Sequence, residues 1–370
     1  MQNIGKSLEA LARKLRPYLL PSYFKTYKAL IARGLSQRRR NEPIVCCDLS
    51  RSAIDAVGGR YYFSLVRDLI DAGYFPVFVA HRGTLSTFGT APLKSSLLGE
   101  RLGVIRSLGE LQEPFFLITD QETPPALNAK RTVKVLYEHR RSREPHELEF
   151  PVFVHPDLTR KVALPYQYSI EARRPTRLFF GGNTMEGKYN QAVLRDFYGM
   201  LTRKEMLEIT TSEFKDSGIA RPDHAETWLD SKAQQMFVLC ETQYCQIPQS
   251  RWLDALAKAD FFLACPGVGM PLCHNLIEAL AAGSIPILQY ASYLPRPLEN
   301  GVNCLTFTCA QTLRSTLRRV MESTPEEINA LRLKVKLYYD ETLAPGKFSE
   351  ALFRREQTTL LINAYRVPRP

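Results

Sequence analysis

Glu278 is the only ionisable side chain after His274 in an otherwise apolar, helix-compatible stretch, Leu272 to Ala282. A carboxylate in such a place needs a reason. One carboxylate can accept both hydrogen bonds of a vicinal diol such as a ribose; the alternative is a solvated helix edge. The loop ahead of it, Pro266-Gly267-Val268-Gly269, leads into the helix N-terminus. Unpaired N–H groups and the helix dipole favour an anion there, such as a diphosphate. The Gly267/Gly269 pair lacks the third glycine of the dinucleotide fingerprint. Elsewhere His81, His139 and His155 each follow a strand-like run. Ligands gather at the carboxyl ends of parallel strands, so each histidine is either a site group or an ordinary loop residue. Asp48 and Asp55 share the loop after the first such run.

The elements that must hold these groups follow from apolar runs and their breakers. Ala259 to Tyr290 reads as one strand, loop, helix and strand, with Gly283-Ser284 ending the helix before Ile285 to Leu288. Near the start, Ile44 to Cys47 predicts a strand, Gly58-Gly59-Arg60 a tight turn, and Tyr61 to Ala72 a helix stopped by Gly73 before a strand at Val77 to Ala80. Phe115 to Thr119, Thr132 to Tyr137 and Val152 to Val154 are further strand candidates. Strands alternating with helices argue for parallel α/β sheets. Pro165 to Pro175, polar and interrupted by prolines, reads as an interdomain linker, and Lys347 to Tyr365 as a last helix.

The chain has 370 residues, enough for two domains with full cores, and 45% hydrophobic against 24% charged residues is a globular balance. Its net charge of +11 is unevenly spread: residues 1–43 hold +8, leaving +3 for the rest. A near-neutral body without an aromatic-basic motif argues against nucleic acid. Within 1–43, apolar stripes at helical spacing alternate with Lys and Arg. Such a segment either lies on an anionic membrane surface or packs on the protein with its basic face solvated. The eight cysteines include no C-x-x-C pair and read as free thiols, which fits the cytoplasm. No apolar run approaches the length of a membrane span.

The 259–290 stretch resembles the donor-binding half of GT-B glycosyltransferases, most closely the exostosin type, through Cys265-Pro266-Gly267, Glu278-Ala279-Leu280-Ala281-Ala282-Gly283 and Ile285-Pro286-Ile287-Leu288. Asn300-Gly301-Val302-Asn303-Cys304-Leu305-Thr306-Phe307 resembles the segment that follows in many such transferases. Arg177-Leu178-Phe179-Phe180-Gly181-Gly182-Asn183 resembles the exostosin entry to the second domain, followed by a basic helix with Lys188 and Arg195. The resemblance implies that Gly182, Asn183, Lys188, Arg195, Gly267, Gly269, His274, Asn275 and Glu278 face the donor. It also implies that the Gly58-Gly59-Arg60 loop, with His81, faces the acceptor. The chain departs from the pattern at Met270, Asn183 and Asn275, where related enzymes carry Glu, Arg and Arg.

The expected architecture is therefore α/β, two Rossmann-like domains facing a cleft in the GT-B manner. It comprises a basic helical extension (1–43), an acceptor domain (44–165), a nucleotide-sugar domain (176–345) and a C-terminal helix crossing back (346–370). The expected reaction is transfer of a sugar from a nucleotide-sugar to a glycan or lipid-linked acceptor hydroxyl, in cell-surface polysaccharide or glycolipid synthesis. No D-x-D triplet occurs, so catalysis without a metal or other cofactor is expected. For an inverting reaction the base candidates are His139, Asp48 and Asp55. Rival readings are a GT-B epimerase and a GT-B-like protein that binds glycan or nucleotide without turnover. The expected location is cytoplasmic, with a peripheral hold on the inner membrane face.

Overall fold

The computed structural model describes residues 15–16, 18–122, 128–138, 144–185, 192–268, 270–354 and 359–362. The chain forms two compact units: one runs to Phe150 and takes in the segment beginning at Pro345, and the other spans Pro151–Ala344. The first contains β1 (Ile44–Asp48), β2 (Phe75–Val79), β3 (Gly103–Ile105), β4 (Phe115–Thr119), β5 (Ala129–Leu136) and β6 (Glu147–Glu149). The second contains β7 (Thr176–Gly182), β8 (Ile219–Ala220), β9 (Gln235–Glu241), β10 (Ala259–Leu263), β11 (Ile285–Leu288) and β12 (Leu305–Thr306). A last strand, β13 (Thr359–Leu361), returns to the first sheet.

The sheet orders are β3-β2-β1-β4-β5-β13-β6 and β12-β11-β10-β7-β9-β8, and the strands pair in parallel in both. Both are Rossmann-like. β1, β10 and β11 are buried along their whole length, as strands covered by helices on both faces must be. In each sheet the winding direction reverses beside the first strand of the unit, between β1 and β4 and between β7 and β10. The crevice outside the carboxyl ends at such a reversal is where open α/β sheets bind ligands.

Three expectations change. The helix expected from Lys347 to Tyr365 ends at Arg354, and β13 then inserts between β5 and β6, burying Leu360 and Leu361. Val152 to Val154 is not a strand; β6 forms earlier. The proline-rich segment 165–175 is no linker, because it is pinned within the second unit. There the Tyr166 hydroxyl donates to Asp254 (2.7 Å), and Arg174 donates to the carbonyls of Ala259 (2.8 Å) and Ala282 (3.0 Å).

The basic segment is likewise part of the first unit from Pro21 onward. The helix Pro21–Ile31 buries Leu30, and its Tyr27 hydroxyl donates to the Ala80 carbonyl (3.1 Å). Arg33 caps carbonyls of Leu98 (2.6 Å) and Glu100, and Arg38 forms a two-pronged pair with Glu113. Those cations are held by the body. The charge pattern alone did not distinguish this packing from a detached arm.

Candidate functional site

A cavity of about 360 Å³ opens at the carboxyl edge of the second sheet, at its reversal point. β7 ends there in Gly181 and Gly182, β10 leads there through the 264–273 loop, and the helix His274–Ala281 starts there with no side chain capping it. That helix buries Leu276, Ile277, Ala279 and Leu280, which fixes its pitch against the sheet and leaves Glu278 in the cavity wall. Glu278 is only 3% exposed, so the solvated-edge reading falls.

Both Glu278 oxygens are engaged. Oε1 accepts from the His155 backbone N–H (3.0 Å), and Oε2 accepts from the Trp252 indole N–H (2.6 Å). The Trp252 ring in turn lies against Gly181, where any Cβ would meet it at 2.8 Å; glycine is required there for this close approach. His274 donates from Nδ1 to the Phe153 carbonyl (2.9 Å), because a carbonyl can only accept, and its ring meets that of His155 edge-on at 4.9 Å. Asn275 donates to the Gly181 carbonyl (3.2 Å).

The cavity thus gathers Gly182, Asn183, His155, His274, Asn275 and Glu278 from the sequence candidates. Gly267 serves its loop, donating its N–H to the Pro271 carbonyl (3.1 Å), and a Cβ there would meet the Met270 carbonyl at 2.7 Å. Arg195 lies elsewhere, exposed and paired with Glu205 (2.6 Å). Lys188 and Gly269 fall outside the described residues.

Trp252 and Arg203 also stand in the wall, and the sequence did not single them out as site groups. Trp252 opens the short helix Trp252–Ala257. Arg203 is buried beside the cavity, donating to the Asn183 carbonyl (2.6 Å) and the Pro266 carbonyl (3.1 Å). Its sequence context offers a helix start capped by Thr202 and nothing more specific. It brings to the loops around Asn183 the guanidinium charge that Asn183 itself lacks.

The first unit has its own cluster at the carboxyl edge of β1, β2 and β4. Asp48 Oδ1 meets His81 Nε2 at 2.5 Å, and the Thr119 hydroxyl donates to Asp48 Oδ2 (3.4 Å). The carboxylate is buried and the imidazole is 29% exposed, so Asp48 orients the ring and Nδ1 is the basic nitrogen. Next to it Asp120, at the end of β4, accepts from the N–H groups of Ser50 (2.9 Å) and Arg51 (2.8 Å) and from the Tyr137 hydroxyl (3.1 Å).

Asp55 does not join this cluster as a base. It is paired with the fully buried Lys94 (2.7 Å), whose ammonium also donates to the Thr87 hydroxyl (2.9 Å) and sits 3.8 Å above the Tyr62 ring. Burial lowers Lys94 to about 8, with Asp55 opposing the shift. The Gly58-Gly59 turn has a packing reason: residues 57 to 59 are left-handed, and a Cβ on Gly59 would meet that of Lys94 at 2.7 Å. Arg60 follows, half-buried, and His139 lies outside the described residues.

No protein-family model matches the chain, and no curated protein matches it. Among solved structures, one similar chain is an alpha-glucosyltransferase in complex with UDP and a 13-mer DNA containing a central A:G mismatch. The match has TM-score 0.40 and 12% identity and covers 85% of this chain and 99% of that one. WaaG, a glycosyltransferase involved in lipopolysaccharide biosynthesis, matches with TM-score 0.35 and 12% identity over 84% and 98%. Anabaena HepE in complex with UDP matches with TM-score 0.39 and 11% identity over 85% and 100%. At these TM-scores the likeness carries no inference about this chain, whose fold and site rest on its own residues.

Proposed function

We propose that the chain is a GT-B-type glycosyltransferase that moves a sugar from a nucleotide-sugar to an acceptor hydroxyl. The supporting observation is the 360 Å³ cavity at the reversal point of the second sheet, where Glu278, an uncapped helix start and the Arg203 guanidinium meet. Glu278 takes the ribose hydroxyls, and the helix start with Arg203 stabilises the charge that develops on the leaving diphosphate. Cationic neutralisation by the protein, with no D-x-D triplet in the sequence, supports transfer without a divalent metal.

On the acceptor side, the Asp48–His81 pair has the form of an oriented general base, able to take the proton of a hydroxyl at Nδ1. The exostosin-like wording of 177–183 and 259–307 supports a role in cell-surface polysaccharide or glycolipid synthesis. Leu15, Tyr18, Leu19, Leu20 and Phe24 are exposed beside Arg16, Lys25 and Lys28, which supports docking on an anionic membrane that carries a lipid-linked acceptor. No helix among the described residues is long and apolar enough to cross a membrane.

Met270 and Asn183, the departures from the transferase pattern, favour as a second reading a protein that binds nucleotide without turnover. A thermal-shift panel of UDP, GDP, ADP, CMP and their sugars tests the first step common to both. One nucleotide at 100 times its Kd should add about 2.7 kcal/mol of stability. No shift with any member would overturn both readings, and sugar release from the selected donor separates them.

A further inference from the structure

The opposite, amino-terminal edge of the second sheet holds a different cavity, of about 380 Å³. It opens at Arg177, near the start of β7, roughly 17 Å along that strand from Gly182 at the first cavity. Its walls carry four guanidiniums, Arg173, Arg174, Arg177 and Arg332, against two carboxylates, Asp260 and the exposed Glu171.

The buried part of this set is unbalanced. Arg332 is 1% exposed and donates to Asp260 Oδ1 (2.6 Å) and to the carbonyls of Ile170 (2.5 Å) and Ala172 (3.2 Å), yet its Nε has no hydrogen-bond acceptor. Arg174 spends its donors on carbonyls behind the wall. Arg177 approaches Asp260 only to 3.6 Å, and its buried Nη1 also lacks an acceptor. One buried carboxylate therefore meets Arg332 directly and Arg177 at longer range, and leaves Arg174 to backbone carbonyls. Burial, then the repulsion of Arg332, lowers Arg174 to about 9. An open cavity lined by four arginines, with its one buried carboxylate already committed to Arg332, suits an oxyanion, which the fork of an arginine binds through two parallel hydrogen bonds.

We propose that this cavity is a binding site for a phosphate-bearing small molecule, gripped by Arg177 and Arg173 in front of the fixed Arg332–Asp260 pair. The volume exceeds that of a lone phosphate and admits a phosphorylated sugar. The Asn329 side chain, 3.4 Å from Arg332 through its Oδ1, stands in the same wall.

The test is calorimetric titration of the full chain with inorganic phosphate, a hexose phosphate and the neutral hexose, at chloride-matched ionic strength. The variants are Arg177→Gln, which removes the guanidinium that Asp260 holds only loosely, and Asn329→Asp, which keeps the shape and adds a repelling carboxylate. Saturable binding of a phosphate compound, weakened about tenfold or more in either variant while nucleotide affinity in the same samples holds, is expected. Tighter binding of the hexose phosphate would identify a sugar phosphate as the ligand, and equal binding would identify inorganic phosphate. No saturable binding of either, or unchanged affinity in a folded Asn329→Asp protein, would overturn the proposal whatever the fate of the nucleotide site.

Discussion

Asp48 and His81 stand 33 residues apart, and sequence reading met them separately, one as a base candidate and one on the acceptor side. Only the pairing of β1 with β2 brings them into contact, so no local pattern could have joined them. If this pair is the base, His81→Asn should lower turnover by about 10² to 10⁴ while nucleotide affinity stays as it was. Equal turnover in steady-state assays would remove the pair from the reaction. Asp55 shows the reverse case, a carboxylate in the right loop whose partner, Lys94, lies 39 residues on. Lys94→Met should strand that carboxylate and destabilise the fold by about 3–5 kcal/mol in urea titrations. The native Lys94 pKa is depressed to about 8, so the unfolded chain binds that proton more tightly between about 8 and the ordinary 10.5. Stability from this group is therefore low below pH 8 and rises across that window. The wild-type urea midpoint should therefore gain on that of Lys94→Met as pH climbs through the window, and a difference between the two proteins that stays constant would contradict the assignment.

At the scale of elements, 259–290 was legible because each boundary carries its own breaker: Pro266-Gly267 after β10 and Gly283-Ser284 after the helix. The 165–175 segment misled because proline and polar composition marks exposed chain, whereas here Arg174 and Arg332 bond its neighbourhood to carbonyls more than 80 residues away, a tertiary fact. β13 was read as helix because its few residues follow a helical run without a break. Its burial between β5 and β6 decides the matter. The turn before the helical part of Ala56–Asp71 holds exposed Val57 at φ 55°, a conformation that a β-branched residue adopts at a cost of about 1–2 kcal/mol. Val57→Asn should relieve part of this and raise stability by about 1 kcal/mol in thermal unfolding. A loss of stability would show that the valine side chain makes a contact worth more than the strain.

For the molecule as a whole, two parallel sheets followed from composition and alternation, while the use of the basic segment did not, since one amphipathic stripe serves a protein core or a lipid surface equally. The structure divides that segment. Leu30 is buried and the Arg33 and Arg38 guanidiniums are bonded to the first unit, whereas Leu19 and Phe24 are exposed. Deleting all of 1–43 would thus injure the fold. Leu19→Glu with Phe24→Glu is the cleaner probe and should abolish co-sedimentation with anionic vesicles. Wild-type binding should also weaken as salt shortens the Debye length from ~10 Å at 0.1 M to ~3 Å at 1 M. Undiminished sedimentation of the double variant would end the membrane reading. The measurement closest to the central proposal is calorimetric titration of wild type and Glu278→Gln with the nucleoside diphosphate chosen by the thermal-shift panel. With both proteins folded by circular dichroism, the variant should bind more weakly by about 1.5–3 kcal/mol, roughly 10- to 150-fold, through loss of charge-assisted hydrogen bonds to the ribose. Equal affinity in the two proteins would contradict it.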